Sequence, residues 1–255
     1  MRFGAALDLR YDQSFEAFVE FLATQGLSHV EIRQGYLDVH PDAPTADRVR
    51  DVAAEADVTV TLHAPFRDCD LGNLNDRLRE ATVDAVRDSL DFAAAAGAEA
   101  VVVHGGAARP RYPERVQERS REQAVRSLRA CAAHAAAAGV PLCVENQRDT
   151  SSKRRHTATP DRLAALLDDV DADPSVLKVT LDVGHAKVAG VDPRAFVDAV
   201  GDRIAVAHLH DNDGRDDDHN PLPGFRDVAA AVGAPFNVLE MKSLADIERC
   251  VAAVD

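Results

Sequence analysis

The stretch VLKVTLDVGH, residues 176–185, is an apolar run that ends on a carboxylate, Asp182, with His185 three positions further on. A short run rich in Val and Leu reads as a strand covered on both faces, so its polar groups collect at its end. The same form recurs along the chain. VTVTLHAP (58–65) ends at His63, AEAVVVHGG (98–106) at His104, VPLCVEN (140–146) at Glu145, IAVAHLH (204–210) at His208 and FNVLE (236–240) at Glu240. Between the runs lie helical patterns. SFEAFVEFLATQG spaces its apolar residues by three and four, and Ala-rich segments precede Gly97 and Gly139, each glycine suiting a left-handed helix cap.

Eight candidate strands follow, near 3–8, 28–33, 57–63, 99–104, 140–145, 176–182, 203–210 and 235–240. Strands alternating with helices are parallel, and 255 residues is close to the size of one closed barrel. The expected fold is α/β, a single (β/α)8 TIM barrel forming one domain over residues 1–255. An open doubly wound sheet is the weaker choice. It gathers its chemistry at one switch point, whereas here at least six strand ends carry candidate site residues, which a barrel would bring to a single mouth.

Acidic residues outnumber basic ones 43 to 29, giving a net charge of -14, and the lysines are only Lys153, Lys178, Lys187 and Lys242. Such a surface suits a cytosol of high salt, where screening weakens self-repulsion, so a halophilic, cytoplasmic protein is expected. Cys69, Cys131, Cys143 and Cys250 show no close pairing and read as reduced, structural residues. The N-terminus enters a strand at once, and no apolar run approaches membrane-spanning length, so no membrane partner is expected. The Ala-rich faces 91–98 and 130–138 fit either a homodimer contact or tight packing onto the strands.

Lone histidines such as His29, His40 and His134 read as surface or packing residues. Glu145 and Glu240 differ, because a charge that closes a covered strand is paired or bound to metal. An ion pair is the alternative for each. In LDVGH a turn can aim Asp182 and His185 the same way, and in HLHDNDGRDDDH (208–219) His208 and His210 share a strand face, one of them as a ligand. Asp217 and His219 lie in a polar loop that alone would mean little. Phe66 is placed to shield the mouth from water.

Arg33, Arg67, Arg109, Arg111, Lys153, Arg154, Arg155, Lys187 and Arg215 all follow strands, on the rim where a barrel binds its substrate. KRRH (153–156) is the densest group, and its Arg154 and Arg155 suit a phosphate or carboxylate, against the plainer reading of a solvated loop. HGGAARP lacks the spacing of a dinucleotide fingerprint or a P-loop, and no nucleophile elbow is present.

Taken in order, HAPF, VVVHGG, VEN, LDVGH, HLHDNDGRDDDH and VLE resemble the xylose-isomerase-like TIM-barrel superfamily, which also contains the endonuclease IV type of AP endonuclease. The resemblance covers nearly the whole chain from the second strand onward. Its sugar isomerase and epimerase branch implies one divalent metal on Glu145, Asp182, His208 and Glu240. The two glutamates then exchange a proton at carbon, His185 and Arg215 hold the sugar, and the metal polarises its oxygens. Its endonuclease branch implies three zinc ions: His63, His104 and Glu145 on the first, Glu145, Asp182, His208 and Glu240 on the second, and His185, Asp217 and His219 on the third.

The expected function is therefore a metal-dependent isomerase or epimerase of a sugar or sugar phosphate, with Glu145, Glu240 and His185 catalytic. Phe66, Arg154, Arg155 and Arg215 are expected to bind substrate. Zinc or manganese is the expected metal, and cobalt and magnesium suit the same mixed ligands. A zinc phosphodiesterase acting on nucleic acid is the alternative, opposed by the acidic surface, since DNA binding rests on phosphate neutralisation. A catalytically inactive metal-binding barrel is the minor one.

Overall fold

In the computed structural model, which describes residues 1–252, the strands of the expected barrel are all present; positions 253–255 of the expected domain lie outside the described residues. The strands are β1 (Arg2–Leu7), β2 (His29–Arg33), β3 (Thr59–His63), β4 (Val101–His104), β5 (Ala107–Ala108), β6 (Leu142–Glu145), β7 (Arg154–Arg155), β8 (Leu177–Asp182), β9 (Ile204–Leu209) and β10 (Phe236–Leu239). Eight of them close in the order β1-β10-β9-β8-β6-β4-β3-β2, every pairing in that ring being parallel. This is a TIM barrel. β5 and β7 stand apart as a short antiparallel ribbon.

The expected strands lose a residue or two, mostly at their starts, where the apolar pattern begins before the first ladder bond, and β1 instead begins one residue early. One segment differs in kind. RQGYLDVHPDAP reads as an acidic loop, yet Gln34–Val39 forms a short helix, since Tyr36 finds a buried place and donates its hydroxyl to the Gln13 carbonyl at 2.8 Å.

Most of the apolar core lies between the barrel wall and the surrounding helices, and includes Phe15, Phe18, Leu90, Leu128, Leu166 and Phe196. A smaller cluster of Ala6, Ala100, Val102, Cys143, Val206 and Val238 fills the barrel itself. The Ala-rich faces turn inward: Ala93, Ala96, Ala132 and Ala135 are buried, and the helices that carry them, Asp76–Ala96 and Glu114–Ala138, pack together. Their expected glycine caps, Gly97 and Gly139, take the left-handed conformation. Among the described residues, no helix is long and apolar enough to cross a membrane.

The barrel also encloses polar side chains, His29, Glu31, Thr61, Thr180 and His208, all fully buried. His29 is thus a satisfied interior residue, its ring nitrogens 2.8 Å from Thr59 Oγ1 and 3.1 Å from Thr61 Oγ1. Burial pushes it down to about 4. Burial, aided by Arg121, Arg162, Arg154 and Arg155, does the same to His156, also to about 4. Below pH about 6.5 the unfolded chain takes up protons that these folded histidines refuse, so stability falls from there down to about pH 4 and these two add no further loss below it. The loss is roughly 3 kcal/mol for each. Urea unfolding at pH 7 and pH 4.5 should show a smaller difference in His156→Gln than in the parent; equal differences would refute this origin of the acid lability.

Candidate metal centre

Strand register gathers the polar ends. His104 pairs with Glu145 across β4 and β6, and Asp182 with His208 across β8 and β9, so neighbouring strands deliver adjacent side chains to one rim. The LDVGH turn is built by Asp182 itself. Its Oδ1 accepts the His185 backbone N–H at 2.7 Å and caps the short helix Val183–Val188, which leaves Oδ2 facing His185 Nδ1 and His210 Nε2, each at 3.2 Å. Gly184 is required here, because a Cβ on it would lie 2.0 Å from His210 Cε1. Asn146, the last residue of VEN, ties β6 to β8: its Oδ1 accepts the Asp182 N–H at 2.6 Å and its Nδ2 donates to the Asp182 carbonyl at 3.0 Å.

Four groups of side chains could each close on a cation, their ligand atoms lying within 4.8 Å of one another: His63, His104 and Glu145; Glu145, Asp182 and His185; Asp182, His210 and Glu240; and His210, Asp217 and His219. Glu145, Asp182 and His210 each serve two of them. The groups therefore form a continuous chain. Glu145 stands 2.9 Å from His104 Nε2, 3.6 Å from His63 Nε2 and 3.2 Å from His185 Nδ1. Asp217 Oδ2 stands 3.2 Å from His185 Nε2 and 3.4 Å from His219 Nε2. The His210 and His219 rings stack with centroids 4.1 Å apart, which puts both imidazoles at one carboxylate, Asp217.

Of the two histidines in HLH, His210 joins the upper groups. His208 reaches downward, its Nε2 3.1 Å from Glu31 Oε2, while its Nδ1 stands 3.5 Å from Glu145 and 3.7 Å from Glu240. Glu31, His208 and Glu240 make a fifth, fully buried group. Glu31 is absent from the residues expected from sequence, although a charge facing inward in a covered strand carries the same signal that marks Glu145.

The electrostatics follow from this crowding. Burial alone would raise the Glu145 carboxyl, but the His104, His185 and His208 imidazoles hold it well below the usual range. Glu240 is held down against burial by His208, Arg33 and His219. Burial would lower His185, yet Asp182, Asp217 and Glu145 pull it well above its ordinary value. Arg33 is the fixed cation of the set, donating to Glu240 Oε1 at 2.7 Å and to Asp8.

The donor chemistry fits divalent metal. Buried His208 Nδ1, His210 Nδ1, Asp217 Oδ1 and Glu31 Oε1 find no hydrogen-bond partner among the described residues. Such atoms are costly without a partner, and imidazole with carboxylate suits zinc or manganese.

The other expected residues divide. Phe66 lies over the centre, its ring 5.0 Å from His63 and 5.3 Å from His104. Arg155 lines a cleft of about 380 Å³ above the ligands, with Arg10, Arg33, Arg67 and Arg148. Arg154 does not; it is exposed and donates to Gln117 at 3.2 Å. Arg215 is exposed as well and is not among the residues that line the cleft.

Residues 19–241 match the family described as xylose isomerase-like TIM barrel. The chain belongs to that family. It is 32% identical to the uncharacterized protein MJ1311 of Methanocaldococcus jannaschii over 64% of this chain and 55% of that one, so it spans about half the length of that relative. Among solved structures it resembles a D-tagatose 3-epimerase-like protein, with TM-score 0.83 at 24% identity over 100% of this chain and 96% of that one, a likeness of fold. It also resembles endonuclease IV from Thermus thermophilus, with TM-score 0.70 at 27% identity over 100% of this chain and 99% of that one. Sugar epimerases and endonuclease IV are thus both structural neighbours of this family member.

Proposed function

We propose that this chain is a metal-dependent hydrolase of phosphoesters that holds two or more divalent ions at the barrel mouth. The observation that carries the reading is the sharing of Glu145 and Asp182 between neighbouring ligand groups. A one-metal isomerase needs Glu145, Asp182, Glu240 and one histidine. Buried His63 and half-buried His104, Asp217 and His219 would then be left without a task.

Under this reading His63, His104 and Glu145 hold one ion. Glu145, Asp182, Glu240 and a histidine hold the next: His208 Nδ1 stands 3.5, 4.0 and 3.7 Å from the three carboxylates, and His210 groups with Asp182 and Glu240. His185, Asp217 and His219 hold a third. When bound, such ions activate water and neutralise the charge that develops at phosphorus. The chain's own side chains do the rest. Gln147 Nε2 donates to Glu145 Oε2 at 3.1 Å and fixes the carboxylate that two groups share. Phe66 covers His63 and His104 and keeps bulk water from that side. Arg33 keeps Glu240 anionic, which suits a ligand more than an acid that must hand back a proton. Five arginines line the cleft of a chain with net charge -14, which favours an anionic substrate.

One observation favours the isomerase or epimerase reading: Glu145 and Glu240 both approach one His208 nitrogen, at 3.5 and 3.7 Å, so two carboxylates face a common point, as a proton-exchanging pair must. Metal-loaded protein in high salt separates the two. It should release phosphate or alcohol from phosphomonoester, phosphodiester or abasic-DNA substrates, and a sugar panel in deuterated water should show no exchange of carbon-bound protons. Exchange without ester cleavage would replace the hydrolase with the isomerase, and metal binding without either would leave an inactive barrel.

A further inference from the structure

We propose that Arg148 and Arg155 form a second anion seat beside the metal ligands, which holds a phosphate or carboxylate of the substrate other than the group undergoing reaction. The seat rests on the reading of the mouth as an anion-processing site and adds a substrate class to it: small sugars that carry two anionic groups.

Both guanidiniums line the cleft, together with Gln147 and Thr150. Both keep a buried Nε–H that finds no acceptor among the described residues. Arg33 keeps such an Nε–H too, but its two terminal nitrogens are taken by Asp8 and Glu240, which leaves it committed where Arg148 and Arg155 are not. The carboxylate nearest Arg148 is Asp217, at 3.6 Å, too long for a hydrogen bond. Arg155 makes no ion pair within the same reach among the described residues, although Arg162 beside it pairs with Asp149 at 2.9 Å.

Arg155 is held in place by its backbone. Its N–H donates to Asp149 Oδ1 at 2.7 Å, its carbonyl accepts from Arg162 Nη1 at 3.3 Å, and β7 pairs it with Ala107 of β5. The alternation of that ribbon sends Arg154 out to Gln117 and leaves Arg155 for the cleft. The working pair is therefore Arg148 with Arg155, one from each end of the loop between β6 and β7.

Two like charges that line one cleft at partial burial repel. Burial lowers the Arg155 guanidinium, and Arg148 lowers it further, against the pull of Asp70 and Glu145. An anion placed between them relieves that repulsion and satisfies the free N–H groups, for which the planar guanidinium fork is suited.

Calorimetric titration of the metal-loaded protein tests the seat with three probes: fructose 1,6-bisphosphate, 6-phosphogluconate and, as the single-anion control, glucose 6-phosphate. The parent should bind at least one two-anion probe roughly tenfold tighter than the control. Whichever probe gains shows whether the second group is phosphate or carboxylate. Arg148→Gln and Arg155→Gln should each erase the preference while leaving metal content and affinity for the control within about twofold. No preference in the parent would overturn the seat, as would variants that keep it or that weaken all three probes alike. Turnover and metal content of the same samples report on the hydrolase separately: absent hydrolysis with a preference that depends on the arginines would sink the reaction and leave the seat standing.

Discussion

Glu145→Gln lowers turnover by more than about a hundredfold and leaves the barrel folded. Outer partners of a metal ligand are typically worth about 10–100-fold, and Glu145 is itself a ligand candidate in two groups, so its loss should exceed that range. The amide keeps the shape and the bond from Gln147, so far-ultraviolet dichroism should match the parent. Metal content should fall in step with activity. Retained turnover would show that the shared carboxylate is not at the centre of the chemistry.

Arg33→Met produces the largest change in stability. Arg33 is the cation between Asp8 and Glu240, both nearly buried, and its own side chain is only 14% exposed. Removing it strands the buried Glu240, which has no other arginine or lysine paired with it, while Asp8 keeps its two bonds from Arg10 at 2.8 and 2.9 Å; the unpaired Glu240 costs roughly 3–5 kcal/mol. Urea unfolding of the metal-free protein should show that loss, and added zinc should recover part of it, because Glu240 regains a positive neighbour. A loss below about 1 kcal/mol would place the pair among the weak surface bridges.

The barrel was legible because covered parallel strands leave polar residues only at their ends, and VTVTLH, AVVVH, LCVE and KVTLD each stop on one. The same logic, with the LDVGH turn, found the residues of the ligand groups apart from His210 and Glu31, and apart from Asp217 and His219, which only the family resemblance supplied. It could not choose between His208 and His210, since a period of two gives both the same face and says nothing of depth; depth came from His208 descending to Glu31. Arg154 and Arg155 looked alike in KRRH until the β5–β7 ribbon set one outward and the other toward the cleft. The helix Gln34–Val39 was hidden by its acidic composition, because the burial of Tyr36 is a tertiary effect. Arg148 had no sequence signal at all. Its role follows from a loop whose course no local pattern specifies.

That the mouth holds several ions through shared carboxylates is tested most directly by elemental analysis of protein purified in high salt without chelator or a histidine tag. Two or more divalent ions per chain are expected, about three when the three expected ligand sets are filled, with zinc or manganese foremost. A single ion per chain, or none after exposure to excess zinc and manganese, would contradict the shared-carboxylate centre.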